Sequence, residues 1–119
     1  MYVFLLIYRK ALKVYPSPEQ LQNSIREWQN WYGTIAAQNK LVRPLQCWDA
    51  KGIVVSSHSI VGGPYAELEE CIRGITFIQA VDYNEALEIA KGCPILKFGG
   101  NVEVRMETSD ESAVHVAGR

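Results

Sequence analysis

The chain lacks a surplus of either charge and has few cysteines, and each absence narrows its possible functions. Twelve Lys and Arg residues against thirteen Asp and Glu give a formal net charge of -1 over 119 residues. Because a basic surplus drives the counterion release that dominates nucleic-acid affinity, DNA and RNA are disfavoured as direct partners. The three cysteines are an odd number at wide spacing. They predict reduced thiols and a cytoplasmic protein rather than a disulfide framework.

No apolar run is long enough to span a bilayer, and no membrane partner is expected. The apolar segment from Met1 to Tyr8 has no basic region before it and no small-residue cleavage site after it, so a buried strand is predicted there. The hydrophobic fraction of 48% and the charged fraction of 21% are typical of a globular domain. We expect one domain over residues 1–107 and a flexible C-terminal tail over residues 108–119, which show no periodicity.

Capping signals predict two helices. Ser17 is a predicted N-cap, followed by a proline at the first helical position and by Gln20 three residues after the cap. This pattern predicts a helix at about residues 18–39. Asp82 is a second predicted N-cap, and the Gly-Cys-Pro sequence that starts at Gly92 ends the second helix.

Strands are predicted on both sides of each helix, at residues 2–8, 45–48, 53–57, 72–81 and 101–106. Polar turn residues at 49–52 predict that the second and third strands form a hairpin. The segment 59–70 is predicted to be irregular because it contains Gly62-Gly63-Pro64-Tyr65. The order is βαβ followed by βαβ. It predicts an α+β domain of ferredoxin-like (split βαβ) architecture, in which an antiparallel sheet carries both helices on one face.

The other face of that sheet has no predicted cover. The first strand is apolar at every position, so half of its side chains would be exposed in a monomer. A contiguous apolar patch usually marks an interface. We therefore expect a homodimer in which two sheets pack face to face about a twofold axis. The alternative is that the tail or the loop around residue 60 covers this face.

Five segments between Tyr2 and about Met106 together resemble a known family. They are Phe4-Leu5-Leu6-Ile7-Tyr8, Pro18 to Trp28, Gly63-Pro64-Tyr65-Ala66-Glu67, and Ala90-Lys91-Gly92-Cys93-Pro94 with Val102-Glu103-Val104-Arg105. The chain is similar to the YCII-related proteins with a D-G-P-F signature, members of the dimeric α+β barrel superfamily. The resemblance implies a ferredoxin-like homodimer with a small pocket between sheet and helix. It also implies an acid/base role for the signature Asp. Some relatives are described as transcription-initiation-associated, and others resemble lyases and isomerases of small acids.

Two departures from the family pattern bear on function. Gly62 occupies the position of the signature Asp, and Glu69 occupies a position where many relatives have Lys. A general base needs a titratable group within reach of the substrate, and glycine has none. His58 is the candidate replacement, because imidazole titrates near neutral pH. The other interpretation of His58 is an exposed residue at the end of a strand.

Four further side chains are candidate pocket residues: Tyr65, Glu67, Trp31 and Arg73. Tyr65 could line the pocket with its hydroxyl or pack across the dimer. Trp31 lies about one residue off the buried stripe of the first helix, where it could close a pocket edge or the dimer seam. Arg73 could hold a small carboxylate ligand, although Glu103 or Glu67 would serve equally well as its ion-pair partner.

Neither a metal site nor a cofactor motif is predicted, because His58 and His115 are far apart and the cysteines lack C-x-x-C spacing. Three functions remain. The first is a small-molecule-binding or regulatory homodimer, with a small organic acid as the expected ligand. The second is a lyase-type or isomerase-type enzyme that uses His58 with Tyr65. The third is a transcription-initiation-associated protein that acts through protein contacts. The missing carboxylate at Gly62 favours the first.

Overall fold

A computed structural model of the chain describes residues 1–11, 17–49, 52–63 and 70–108. Its elements are, in order, β1 (Tyr2–Ala11), α1 (Pro18–Ala37), β2 (Leu41–Cys47), β3 (Gly52–Val55), β4 (Ile60–Gly63), β5 (Glu70–Ala80), α2 (Tyr83–Lys91), the 3-10 helix η1 (Pro94–Phe98) and β6 (Asn101–Met106). The described residues do not include Pro64, Tyr65, Ala66, Glu67, Glu69, His115 or the predicted tail beyond Thr108.

The main sheet has four strands in the order β2-β5-β1-β6, and every neighbouring pair is antiparallel. The central strands β1 and β5 are in register from Tyr2 opposite Ala80 to Ala11 opposite Glu70, with one bulge after Tyr8. The predicted α+β class with an antiparallel sheet and two helices is therefore confirmed. This arrangement is compatible with a ferredoxin-like fold.

Both predicted helix starts are confirmed. Gln20 donates its backbone N–H to Ser17 Oγ at 3.2 Å, and Ser17 donates its own to Gln20 Oε1 at 2.9 Å. This capping box satisfies donors that have no partner inside the helix. At the second helix, Asp82 Oδ1 accepts the N–H of Glu85 at 2.9 Å. The first helix ends at Ala37, slightly before its predicted end.

The predicted hairpin is wrong in its pairing. β2 pairs with β5 at the edge of the main sheet, whereas β3 pairs with β4 in a separate two-stranded sheet. Gly62 and Gly63, predicted to be irregular, are part of β4. The reversal between β3 and β4 is stabilised where Ser56 Oγ accepts the N–H of Ser59 at 3.1 Å. The turn residues at 49–52 are compatible with either pairing, so they could not identify the partner of β3.

The hydrophobic core lies between the sheet and the two helices. Phe4, Leu6 and Tyr8 of β1 are between 0% and 1% exposed and belong to one core cluster with residues of α1 and α2. The indole N–H of Trp31 in α1 donates to the carbonyl of Ile89 in α2 at 3.1 Å, which joins the two helices directly. Because side chains alternate along a strand, the odd-numbered residues of β1 lie on the opposite face of the sheet.

Candidate functional site

The space between α1 and the sheet is occupied by an aromatic cluster of Tyr8, Trp28, Trp31 and Tyr32. The rings of Tyr8 and Trp28 meet edge to face, with centroids 5.0 Å apart and planes at 83°. Trp31 lies 5.7 Å from Trp28 and 5.2 Å from Tyr32, again measured between ring centroids. Such packing fills volume and stabilises a core beyond simple burial. The aromatic cluster therefore takes up the region in which a ligand pocket between sheet and helix is predicted.

Three hydroxyl groups meet beneath the aromatic cluster. The Tyr32 hydroxyl is hydrogen-bonded to Thr76 Oγ1 at 2.7 Å, and it lies 3.5 Å from the Tyr8 hydroxyl. Burial raises the pKa of Tyr32 to about 12 and raises the pKa of Tyr8 still further. All three groups are therefore neutral at ordinary pH, and their arrangement is that of a satisfied buried polar network rather than of an acid/base pair.

The buried Cys93 is also poorly suited to chemistry. Its side chain is 2% exposed, and burial raises the pKa of its thiol to about 12. The thiolate is the reactive form of cysteine, and burial in apolar surroundings suppresses it. Cys93 belongs to the core cluster and acts as a packing residue.

The structure separates the predicted site residues that it describes. His58 lies in the exposed turn between β3 and β4, and makes no hydrogen bond or ion pair within the described ranges. Arg73 is exposed near the start of β5, whereas Trp31 is 9% exposed and packed in the aromatic cluster. Among the described residues, no hydrogen bond, ion pair or ring contact joins any two of these three. The predictions for Tyr65 and Glu67 fall outside the described residues.

The sheet surface opposite the helices has an apolar centre. Val3, Leu5 and Ile7 lie on this side of β1, and Ile75 and Phe77 lie beside them on β5. We call these five residues the open face. Ile7 is 6% exposed, and the other four are partly exposed. In the described part of the chain, neither α-helix covers this side of the sheet, and none of the five open-face residues belongs to the core cluster.

Arginines surround the open face. Arg9 Nη1 donates to Glu103 Oε1 at 2.5 Å, and the Arg105 Nε donates to the other oxygen of the same carboxylate. The hydrogen bonds from Arg105 and Arg9 lower the pKa of Glu103. Arg43 lies with its guanidinium carbon 5.9 Å from the centroid of the Phe77 ring. Within the described ranges it has no carboxylate partner, so three arginines here face one glutamate.

A second candidate site is a groove of about 310 Å³ between α1 and α2, on the helix side of the sheet. Its apolar lining comes from Trp31, Ile35 and Ile89, and its charged lining comes from Lys40, Glu85 and Glu88. Of these six residues, only Trp31 was a candidate from sequence. The spacing of Glu85, Glu88 and Ile89 indicates that they lie on one face of α2. The sequence spacing alone does not show that α1 packs beside this face to form the groove.

Comparisons with known proteins assign no family: no protein-family model matches the chain, and no curated protein shows significant similarity to it. The resemblance to YCII-related proteins therefore stays a prediction. Neither described helix has the combination of length and apolar composition needed to cross a membrane. Across residues 1–11, 17–49, 52–63 and 70–108, no group of three or more His, Cys, Asp or Glu side chains could hold a metal ion.

Proposed function

We propose that the protein is a YCII-like homodimer, of dimeric α+β barrel type, that binds a small organic acid and acts by binding or regulation. The observation that carries this proposal is the open face, an apolar patch surrounded by arginines on the side of the sheet opposite the helices. A second copy of the chain presents the same patch, so twofold packing covers both copies at once.

The apolar centre of the open face supports the dimer. Leu5 lies opposite Phe77, and Ile7 lies opposite Ile75, so these side chains form a continuous surface across the two central strands. Face-to-face packing of two sheets places such side chains between layers about 10 Å apart. Burial of apolar surface is the main favourable term in association of this kind.

The arginines support an acidic ligand. Two open faces that meet about a twofold axis bring the arginines of both copies to one interface, where their mutual repulsion opposes association. Glu103 already neutralises part of the charge of Arg9 and Arg105. Guanidinium groups bind carboxylates through paired hydrogen bonds. Arg43 is the arginine best placed to bind a ligand carboxylate, because it has no carboxylate partner among the described residues, whereas Arg9 and Arg105 pair with Glu103. Arg73, exposed on the adjacent strand, is a second candidate.

The enzyme alternative has less support from the site. A general base needs an orienting partner and a position beside the substrate, and His58 is exposed without either among the described residues. Gly62 cannot supply the carboxylate that the family signature provides. A role in transcription through protein contacts has no specific observation in its favour.

The dimer is tested by placing a charge on the open face. Phe77→Glu puts a carboxylate at the centre of the proposed interface, and we expect light scattering to give the monomer mass for this variant. Ile25→Glu is the matched control, because Ile25 is 51% exposed on α1. It should leave the dimer intact. A monomeric unmodified chain, or a Phe77→Glu variant as dimeric as the control, would contradict the proposal.

The ligand is tested by thermal shift with benzoate, succinate and other small carboxylates. Binding to the folded state raises the melting temperature by an amount that grows with the logarithm of the ligand concentration relative to Kd. We expect at least one acid to stabilise the unmodified chain and Arg43→Gln to remove most of that shift. Arg26→Gln, at an exposed position of α1, is the control and should keep it. Equal shifts in both variants would show that the acid binds elsewhere.

A further inference from the structure

The groove between α1 and α2 has the size and lining of a small-molecule site separate from the open face. Its volume of about 310 Å³ is near the lower end of the range for ligand pockets. Trp31, Ile35 and Ile89 give it an apolar base. The indole N–H of Trp31 already donates to the carbonyl of Ile89, so the indole offers apolar surface rather than a free donor.

Lys40 is the one cation among the described residues that line the groove, and it is already paired. Lys40 Nζ lies 3.1 Å from Glu85 Oε1, and the two side chains are 18% and 28% exposed. The same oxygen of Glu85 accepts the backbone N–H of Val81 at 3.2 Å, which holds the carboxylate in place. An anionic ligand would have to displace Glu85 from Lys40, so this end of the groove does not favour an acid.

The other end of the groove carries a weakly compensated negative charge. Glu88 Oε1 lies 2.8 Å from Lys91 Nζ, but both side chains are 71% exposed. Water and salt screen such a pair, so it contributes little and its lysine is easily replaced. Glu88 also lies in the last turn of α2, where the helix dipole adds negative potential. A cation is favoured here and an anion is repelled.

We propose that this groove binds a small organic cation, an amine with a flat or short apolar body. The ammonium group pairs with Glu88 in place of Lys91, and the apolar body lies on Trp31, Ile35 and Ile89. Glu85 is already paired with Lys40, so Glu88, whose partner Lys91 is exposed, gives the charge complementarity that selects a cation over an acid. This site is independent of the proposed dimer and of the acid expected at the open face.

Three probes of similar shape test the proposal: phenethylamine, 2-phenylethanol and 3-phenylpropanoate. Each is titrated into the full chain labelled with ¹⁵N, and binding is followed by amide and indole chemical shifts. We expect phenethylamine to saturate shifts at Trp31 and Ile89. The neutral alcohol should bind more weakly, by about two- to fivefold, because it lacks the ion pair with Glu88. The acid should bind most weakly of the three.

Variants with matched charge changes locate the effect. Glu88→Gln should weaken phenethylamine binding about two- to fivefold, and Lys91→Gln should strengthen it, because the competing lysine is removed. Glu19→Gln changes the net charge as Glu88→Gln does, but at an exposed position in the first turn of α1. It should have no effect on phenethylamine binding.

Several results would overturn the groove assignment. The assignment is wrong if the acid and the amine bind with equal affinity, or if the chemical shift changes avoid the groove. It is also wrong if no probe reaches saturation, or if Glu88→Gln and Glu19→Gln have equal effects on phenethylamine binding. Arg43→Gln should leave amine binding unchanged, which separates failure here from failure of the acid site on the open face.

Discussion

The two faces of β1 have the same apolar composition and different surroundings. Phe4, Leu6 and Tyr8 point toward the helices and are between 0% and 1% exposed. On the open face, Val3 and Leu5 are partly exposed and Ile7 is 6% exposed. The core explains the first set completely, because helix packing requires apolar side chains there. It does not explain the second set, and apolar residues without an explanation in the fold indicate a partner.

The two sides of the sheet differ in what their side chains do: those on the helix side stabilise the fold, and those on the open side form the proposed interface. On the helix side, the aromatic cluster fills the interior, and the groove lies at the surface between the two described α-helices. On the open side, the sheet itself is the surface, and its charges are arginines with too few described carboxylates to balance them. Substitutions of buried core residues on the helix side should therefore lower the free energy of unfolding, whereas substitutions on the open side should change association.

The largest expected effect comes from adjacent leucines on the two faces. Leu6→Ala removes a fully buried side chain and should lower the free energy of unfolding by about 2–5 kcal/mol. Leu5→Ala should cost less in a monomer, and its effect should depend on protein concentration because it weakens association. Urea unfolding at several protein concentrations measures both. Equal, concentration-independent losses in the two variants would remove the distinction between the faces.

The next effect concerns the hydroxyl groups beneath the aromatic cluster. Tyr32→Phe leaves the Thr76 hydroxyl, which is fully buried, without its 2.7 Å partner. An unsatisfied buried hydroxyl costs about 1–3 kcal/mol, measurable by urea unfolding. Tyr2→Phe, at a side chain that is 56% exposed, is the control. If the two variants had the same free energy of unfolding, the hydrogen bond to Thr76 would make no measurable contribution to stability.

The helix side should also limit stability at alkaline pH. Burial raises the pKa of the Cys93 thiol from 9.0 to about 12, and that of Tyr32 from 10.0 to about 12. The folded state therefore keeps these protons after the unfolded state has lost them. Their contribution is fully present below pH 9 and declines as the pH rises from 9 toward 12. Unfolding curves across this window should show the decline in the unmodified chain.

Cysteine variants test the origin of this pH dependence. Cys93→Ala should make the free energy of unfolding fall less steeply with pH near pH 9. Cys47→Ala changes an exposed cysteine and should leave this pH dependence unchanged. An identical pH profile in all three proteins would exclude the buried thiol as a contributor.

The smallest expected effect on folding is at the edge of the open face. Glu103→Gln removes the carboxylate shared by Arg9 and Arg105, and ion pairs that are partly open to water contribute little to folding. The same substitution increases the arginine surplus, so it should weaken the dimer, and added salt should reverse the loss. Sedimentation at low and high salt measures this. A dimer that is indifferent to both the substitution and salt would argue against charge repulsion at the interface.

Local signals predicted the helices well. The cap residues Ser17 and Asp82 act within one turn of the chain, so they could be recognised without knowledge of the fold. The unbroken apolar run of β1 likewise predicted a strand with two apolar faces. The hairpin was wrong because strand pairing depends on distant residues: β2 found its partner in β5, which follows it by more than twenty residues.

The candidate site was harder to predict because it depends on contacts between elements. Trp31 was identified as a residue at the edge of the buried stripe, but its partner Ile89 lies 58 positions away. His58 was chosen for its chemistry and its position near a loop, and the separate pairing of β3 with β4 leaves it exposed. The sharing of Glu103 between Arg9 and Arg105 depends on the register between β1 and β6, which the sequence does not reveal.

Sedimentation equilibrium of the unmodified chain and of Leu5→Glu tests the central claim, that a second copy covers the open face. We predict twice the chain mass of 13.4 kDa for the unmodified protein and 13.4 kDa for the variant. The claim would be contradicted by a mass of 13.4 kDa for the unmodified protein at every concentration, or by a dimer that survives the charge at Leu5.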